Sequence, residues 1–287
     1  MIDSASTSIT IHDALQRSDE MMQAGITLRE LEQILLHVLG QSRTYLRMYV
    51  DTRLDTAQTQ DFIALRSRLI GGEPLAYVLG SQAFWSLNLK VTPDTLIPRP
   101  DTEMVVTTIL ELPLPQHACV VDMGTGSGAI ALALASERPQ WQLTATDFSN
   151  EALHVAQENA RVHGLDQVRF CLGSWYDALD GMGRFDVIVS NPPYIDPADT
   201  HLAGLTHEPI TALTSLELGL ADLRHLIQFA PHWLRTAGWL VLEHGYDQAE
   251  TVRNMLTARG FKAVRTVRDY GGNDRVSLGQ WAEPLVD

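Results

Sequence analysis

The chain has 287 residues, 45% hydrophobic and 20% charged, the balance of a globular protein with a sizeable core rather than a disordered one. Acidic residues outnumber basic ones, 35 to 21, for a net charge of −14, which repels phosphate backbones, and no local basic patch offsets it. Two cysteines, Cys119 and Cys171, sit in apolar runs without disulfide or metal spacing, and no run nears the ~20 apolar residues of a membrane span.

The opening MIDSASTSIT lacks the charged-then-apolar pattern of a signal peptide, so a cytoplasmic protein without membrane association is expected. Residues 1–74 then read as helices only, a bundle of four. Thr27 and Glu30 have capping-box spacing, and Leu28, Leu31, Leu35 and Val38 recur at helical intervals. Gly25 and Gly40 fall where helices stop. A last helix carries Phe62, Leu65 and Leu69 on one face and ends at Gly71-Gly72, ahead of Pro74. Residues 75–100 change character. Ala83 to Trp85 and Leu87 to Val91 read as a short β-hairpin. Leu96-Ile97-Pro98-Arg99-Pro100 must be extended, because each proline biases its predecessor away from helix. This stretch reads as a connector.

From 101 to 287 the pattern alternates. Short β-rich runs occur at 120–121, 143–146, 168–170, 187–189 and 239–242, with helical stretches at 129–137, 151–163, 221–235 and 247–259. Alternation predicts βαβ units and a mostly parallel sheet covered on both faces. The closing strands, 262–268 and 275–281, are too close for a crossover helix and predict a hairpin. The expected fold is therefore α/β, a doubly wound sheet with one antiparallel strand, preceded by a small helical bundle.

The first strand runs into Gly124-Thr125-Gly126-Ser127-Gly128, and a helix of small residues follows. Such glycines let backbone approach a ligand at a helix N-terminus. The second strand ends at Asp147, about 20 residues beyond the last glycine, where a carboxylate is placed for the two hydroxyls of a ribose. An adenosine-containing cofactor is indicated. The G-x-G-x-G spacing is tighter than the dinucleotide G-x-G-x-x-G and resembles the S-adenosylmethionine loop of methyltransferases.

The fourth strand stops at Asn191-Pro192-Pro193-Tyr194. Two prolines end pairing and stiffen the backbone, leaving the Asn191 side chain and nearby carbonyls as fixed acceptors. Methylation of a planar nitrogen needs such acceptors. Its lone pair is delocalised, so the Asn191 oxygen and the Pro192 carbonyl would orient both N–H groups and favour positive charge on nitrogen. Tyr194 would stack on the flat group, and no strong base is required.

These motifs resemble amino-methyltransferases generally. Gly72 to Gly80 (GEPLAYVLG), Leu96 to Glu103 (LIPRPDTE), Phe185 to Ile195 (FDVIVSNPPYI), His207-Glu208-Pro209 and Glu243-His244-Gly245 narrow the resemblance to the HemK/PrmC family. Those enzymes methylate the side-chain amide of the glutamine in the Gly-Gly-Gln motif of class I peptide-chain release factors. The resemblance covers nearly the whole chain. It implies a Rossmann-like methyltransferase sheet and S-adenosylmethionine as donor, with S-adenosylhomocysteine as product. By position it implies Gly124, Thr125, Gly126, Ser127 and Gly128 at the methionine part, Asp147 at the ribose and Trp175 beside the adenine. Asn191 would border cofactor and substrate, and Asn191, Pro192, Pro193 and Tyr194 would seat the glutamine, with Asn191, Pro192 and Tyr194 in the catalytic role. The helical domain would recognise the body of the release factor. One departure is visible: Leu218-Gly219 stands where the family has Asp-Gly.

Two other classes share parts of this pattern. A nucleic-acid amine methyltransferase would use the same loop, but the acidic balance and lack of a basic target-recognition segment argue against direct nucleic-acid binding. A catalytically silent adenosine-ligand sensor would not need an intact Asn191 to Tyr194. The histidines show no metal pairing, so no metal is expected. His244 reads as a hydrogen-bonded structural residue, and Arg99 and Glu103 as anchors of the connector.

Overall fold

A computed structural model describes residues 8–282, the side chain of His201 excepted; expectations placed on 1–7 and 283–287 lie outside the described residues. The chain divides into two compact units between Ser81 and Gln82.

The first unit holds six short helices among the described residues, not four: α1 (Ile11–Leu15), α2 (Asp19–Gln23), α3 (Leu28–Leu39), α4 (Arg43–Met48), α5 (Thr56–Ile70) and α6 (Leu75–Leu79). Polar caps start most of them. Thr10, Thr27 and Asp55 form capping boxes with Asp13, Glu30 and Gln58, and Ser18 and Ser42 cap α2 and α4. Their apolar faces meet around Leu31, Ile34, Leu35 and Phe62. Leu28 does not join that stripe; at the first position of α3 it is 47% exposed. α1 and α6 have five residues each, too few to show a helical period in sequence. α5 stops at Ile70 with Gly71 as its cap, and Pro74 precedes α6 at the cap position, where its missing N–H costs nothing. The helical unit therefore continues past the expected limit at 74.

The second unit opens with the hairpin β1 (Ser81–Phe84) and β2 (Leu87–Lys90). Its main sheet contains β3 (Cys119–Met123), β4 (Gln142–Asp147), β5 (Arg169–Leu172), β6 (Phe185–Ser190), β7 (Leu234–Glu243), β8 (Lys262–Arg268) and β9 (Asp274–Gln280). The order is β5-β4-β3-β6-β7-β9-β8. β9 runs antiparallel to both neighbours and the other pairs are parallel, as expected. The helices are α7 (Glu103–Leu110), α8 (Ala129–Glu137), α9 (Asn150–Val162), the single turn α10 (Leu216–Gly219), α11 (Ala221–Trp233) and α12 (Ala249–Arg259). Strand residues alternate between the two faces. Val187 and Val189 of β6 pack in one core with α7 and α8, while Ile188 packs in the other with α11 and α12. α7 was not expected from sequence: Pro100, read only as an extended residue, starts a 3₁₀ turn (Pro100–Thr102) that leads straight into it.

From β3 the chain builds outward through β4 and β5, then returns to β6 on the other side of β3. Ligands bind outside the carboxyl ends of strands at such a reversal. Met123 pairs with Ser190, whose hydroxyl donates to the Met123 carbonyl at 2.6 Å. The glycine loop and the Asn191 segment thus leave the sheet side by side.

The hairpin belongs to this unit rather than forming a free connector. Asn159 on α9 accepts the Lys90 N–H (2.7 Å) and donates to the carbonyls of Lys90 (3.0 Å) and Ser127 (2.9 Å). This buried amide ties the hairpin to the glycine loop. Asn159→Ala strands buried backbone groups on both, and should lower stability by about 2–4 kcal/mol in urea titration. A midpoint equal to the parent's would show the tie to be idle.

Candidate active site

A cleft of about 320 Å³ opens at the switch point. Of the expected site residues, Gly124, Gly126, Asp147, Trp175, Asn191 and Pro193 line it. Thr125, Ser127, Gly128, Pro192 and Tyr194 do not. Thr125 turns its hydroxyl to Asp122 Oδ2 (2.6 Å), and the Ser127 carbonyl is taken by Asn159. Tyr194 packs on the second core, and its phenol donates to Glu243 at 3.4 Å.

Two carboxylates shape the loop. Asp122, at the end of β3, is fully buried, and its Oδ2 also accepts the Ala131 N–H at 3.2 Å. Burial pushes its pKa up to about 7, against the pull of Thr125 and Ala131, and its Oδ1 has no partner. Asp147, at the end of β4, accepts from the backbone N–H of Gly126 (2.9 Å) and Ser149 (2.9 Å). Burial raises its pKa too, while those N–H groups favour the charged form. The glycines at 124, 126 and 128 have φ of 71°, 56° and 87°, the left-handed region that lets the loop wrap between the two acids.

Aromatic residues flank the space. Trp175 follows β5, lies beside Gly124, and is held by its indole N–H on Asp222 Oδ1 (3.1 Å). Phe148, directly after Asp147, is 59% exposed along the lining. Asp94, Asp147 and Asp222 line the cleft, and among the described residues no Lys, Arg or His does. A phosphate or pyrophosphate meets no counter-charge here. A vicinal diol meets carboxylate acceptors, a flat ring meets the Trp175 and Phe148 side chains, and a positive charge meets the acids; S-adenosylmethionine carries the three together. Among the described residues there is no cluster of potential metal ligands and no helix long and apolar enough to cross a membrane.

At Asn191, Nδ2 donates to the Thr102 hydroxyl (3.3 Å), so Oδ1 is the atom left to accept from a substrate. Above it, the LIPRPDTE stretch is fixed by Glu208, which accepts the Ile97 N–H (3.1 Å) and pairs with Arg99. Glu103 accepts the Trp85 N–H at 2.8 Å. Glu103 therefore anchors backbone directly, and Arg99 pairs with the Glu208 that does.

Residues 101–218 match the Methyltransferase small domain, and residues 14–80 match the PrmC N-terminal domain. A release factor glutamine methyltransferase of Vibrio cholerae is 45% identical over 279 residues, 96% of this chain and 98% of that relative. Another, of Pseudomonas aeruginosa, is 48% identical over 255 residues, 88% of this chain and 92% of its own. The chain belongs to the release factor glutamine methyltransferases. A solved methyltransferase of Pyrococcus furiosus shares the fold, with a TM-score of 0.53 at 19% identity over 76% of this chain and 98% of that one.

Gly124, Asp147 and Asn191, singled out from the sequence, line the cleft. Thr102, Phe148, Asp222 and Glu208 were not singled out as site residues. Phe148 alone carried a usable signal, an aromatic directly after the strand-ending acid. The Leu218 departure has a visible effect: Glu217 and Leu218 both adopt left-handed backbone (φ 56° and 59°), which Asp tolerates better than Leu. Gly219 follows because a Cβ there would stand 2.0 Å from the Tyr194 carbonyl oxygen. Asp147→Ala should weaken S-adenosylmethionine binding by about 2–3 kcal/mol, the scale of lost charged hydrogen bonds, measured by calorimetry. Unchanged affinity would show that the ribose lies elsewhere.

Proposed function

We propose that this protein methylates the side-chain amide nitrogen of the glutamine in the Gly-Gly-Gln motif of class I release factors, in the cytoplasm. The observation that carries this is an acceptor-lined, cation-free cleft in which Asn191 presents its oxygen beside the glycine loop. Gly124 to Gly128 would hold the methionine part of S-adenosylmethionine, Asp147 the ribose, and Trp175, with Phe148, the adenine. When bound, that cofactor supplies an activated methyl on a sulfonium.

The chain's own task is to make a poor nucleophile react. An amide nitrogen shares its lone pair with the carbonyl. Asn191 Oδ1 accepts one of its N–H groups at the cleft, and the carbonyl of Pro192, whose ring stays buried off the lining, would accept the other and align the nitrogen. As nitrogen gains positive charge, both hydrogen bonds strengthen, so the acceptors stabilise the transition state more than the ground state. Pro193 stiffens this short segment and Tyr194 anchors it on Glu243. The proton departs to water after transfer. No basic side chain reaches into the cleft to neutralise a nucleic-acid phosphate, which favours a protein substrate over DNA or RNA. The helical unit recognises the body of the release factor, with Met48 and Tyr49 among its exposed apolar side chains.

Methyl transfer from labelled cofactor, measured side by side on release factor and DNA, should label only the factor. At saturating cofactor and factor, Asn191→Ala should lower the rate by roughly two orders of magnitude or more, as when a preorganised polar partner is lost. Asn191→Asp keeps an acceptor but removes the donor that Thr102 receives, so it should be nearly as slow. A parent-like rate in Asn191→Ala, or labelled DNA, contradicts this reading.

A further inference from the structure

We infer that Gln248 is a positioning residue for methyl transfer, its side-chain amide fixing the Tyr194 end of the segment that seats the glutamine; the inference rests on the function proposed above.

The Asn191 to Tyr194 segment is hard to hold by ordinary pairing. Pro192 and Pro193 have no N–H to give, so beyond β6 the chain is fixed through its two ends and its carbonyls. At the near end, β6 pairs with β3 as far as Ser190. At the far end, the Tyr194 carbonyl accepts from Gln248 Nε2 at 3.0 Å. The same nitrogen donates to the Leu218 carbonyl (3.3 Å), and Gln248 Oε1 accepts the Gly245 N–H (2.9 Å). A backbone N–H can only donate and a carbonyl can only accept, so these three bonds fix which end of the amide is which.

Gln248 stands just before α12, yet its side chain does not cap that helix. Its backbone N–H closes a turn on the Gly245 carbonyl (3.0 Å), so backbone and side chain grip the same residue. That grip aims the amide nitrogen across at Tyr194. The facing turn is equally constrained. Glu217 and Leu218 take left-handed backbone, which is costly for both, and the turn they make presents the Leu218 carbonyl to Gln248. A Cβ on Gly219 would stand 2.0 Å from the Tyr194 oxygen and 2.8 Å from Gln248 Nε2, so bare backbone packs on both. Ile195 then pairs with the same loop, donating to the Leu213 carbonyl and accepting from the Ser215 N–H, each at 3.0 Å.

The two prolines lock their own φ, so Asn191 to Tyr194 shifts as a stiff piece whose tilt depends on where its far end is held. Releasing Tyr194 would let the Asn191 and Pro192 acceptors drift from the line of transfer, and such misplacement costs rate. Gln248 does not line the cleft, so it acts through the segment without touching cofactor or glutamine. This gives a role to Gly245 of Glu243-His244-Gly245 and to the turn that carries the Leu218-Gly219 departure. His244 is engaged elsewhere, its Nε2 at 2.7 Å from the Ser277 hydroxyl, and acts as the structural histidine expected.

Gln248→Glu and Gln248→Met, each in the full chain, test this. The first keeps the acceptor for Gly245 but turns an oxygen toward both carbonyls; the second keeps the approximate shape and has neither group. Each should lower kcat on release factor roughly tenfold, while KM for the factor stays within about threefold and the cofactor Kd within about twofold. Urea titration is run alongside, because a merely structural glutamine would lower the midpoint and leave the kcat of folded enzyme intact. A parent-like kcat in either folded variant, or a loss seen mainly in KM or cofactor Kd, would overturn the inference. Should Gln248→Glu not fold, Gln248→Met alone decides by its kcat. Asn191→Ala run in parallel separates the two levels. If it is slow while the Gln248 variants are fast, only the positioning role fails; if it is fast, the function proposed above fails and the positioning role with it.

Discussion

Two buried carboxylates, Asp122 and Asp147, stand at the carboxyl ends of adjacent parallel strands, and the geometry of the cleft depends on how their charge is accommodated. β3 and β4 pair in parallel with Asp122 opposite Ala145, so Asp147 stands two residues further out toward the carboxyl edge. Burial disfavours their charged forms. The loop between β3 and α8 answers with the Thr125 hydroxyl and the Gly126 backbone N–H, and the first turn of α8 with the Ala131 N–H. Only glycines at 124, 126 and 128 permit that wrapping without strain. The acids thus shape the loop, and the loop leaves a ligand space rich in acceptors and without cations. That electrostatic character suits a positively charged adenosine ligand and works against a phosphate-bearing one.

The second constraint is the pairing of β3 with β6. It brings two motifs that are far apart in the chain to one strand end, with Ser190 on Met123 as the closest tie. Methyl transfer to an amide asks for alignment and for acceptors that gain strength as charge develops, not for a base. A stiff Asn-Pro-Pro segment meets that requirement because its carbonyls cannot be absorbed into the sheet. Behind it, Tyr194 is tied to the buried Glu243 at the end of β7.

Much of this was legible in the amino-acid order. The helix at 129–137 and the strand at 262–268 fall where the pattern places them, and the single reversed strand follows from the short gap before β9. Glycine loop, strand-end acid and proline-stiffened strand end are local signals, since each depends on neighbours within a few residues. The omissions have a common cause. α6 and α7 each begin at or just after a proline that spacing rules read as a stop or an extended residue, although proline is also a favoured helix starter. Thr102, Asn159, Glu208, Asp222 and Glu243 act through hydrogen bonds to residues far along the chain. A lone polar side chain of this kind has no periodicity or motif until the fold closes around it.

The central claim is that the methyl group arrives on the side-chain amide nitrogen of a release-factor glutamine. Mass spectrometry of the release factor, digested after incubation with the full-length protein and S-adenosylmethionine, tests it directly. The account predicts a single added methyl, localised by fragmentation to the glutamine of the Gly-Gly-Gln peptide. It also predicts none when the cofactor is omitted, and a roughly hundredfold slower appearance of the methyl when Asn191 is replaced by alanine. An unmodified glutamine with active cofactor present, or a methyl on any other residue, would contradict it.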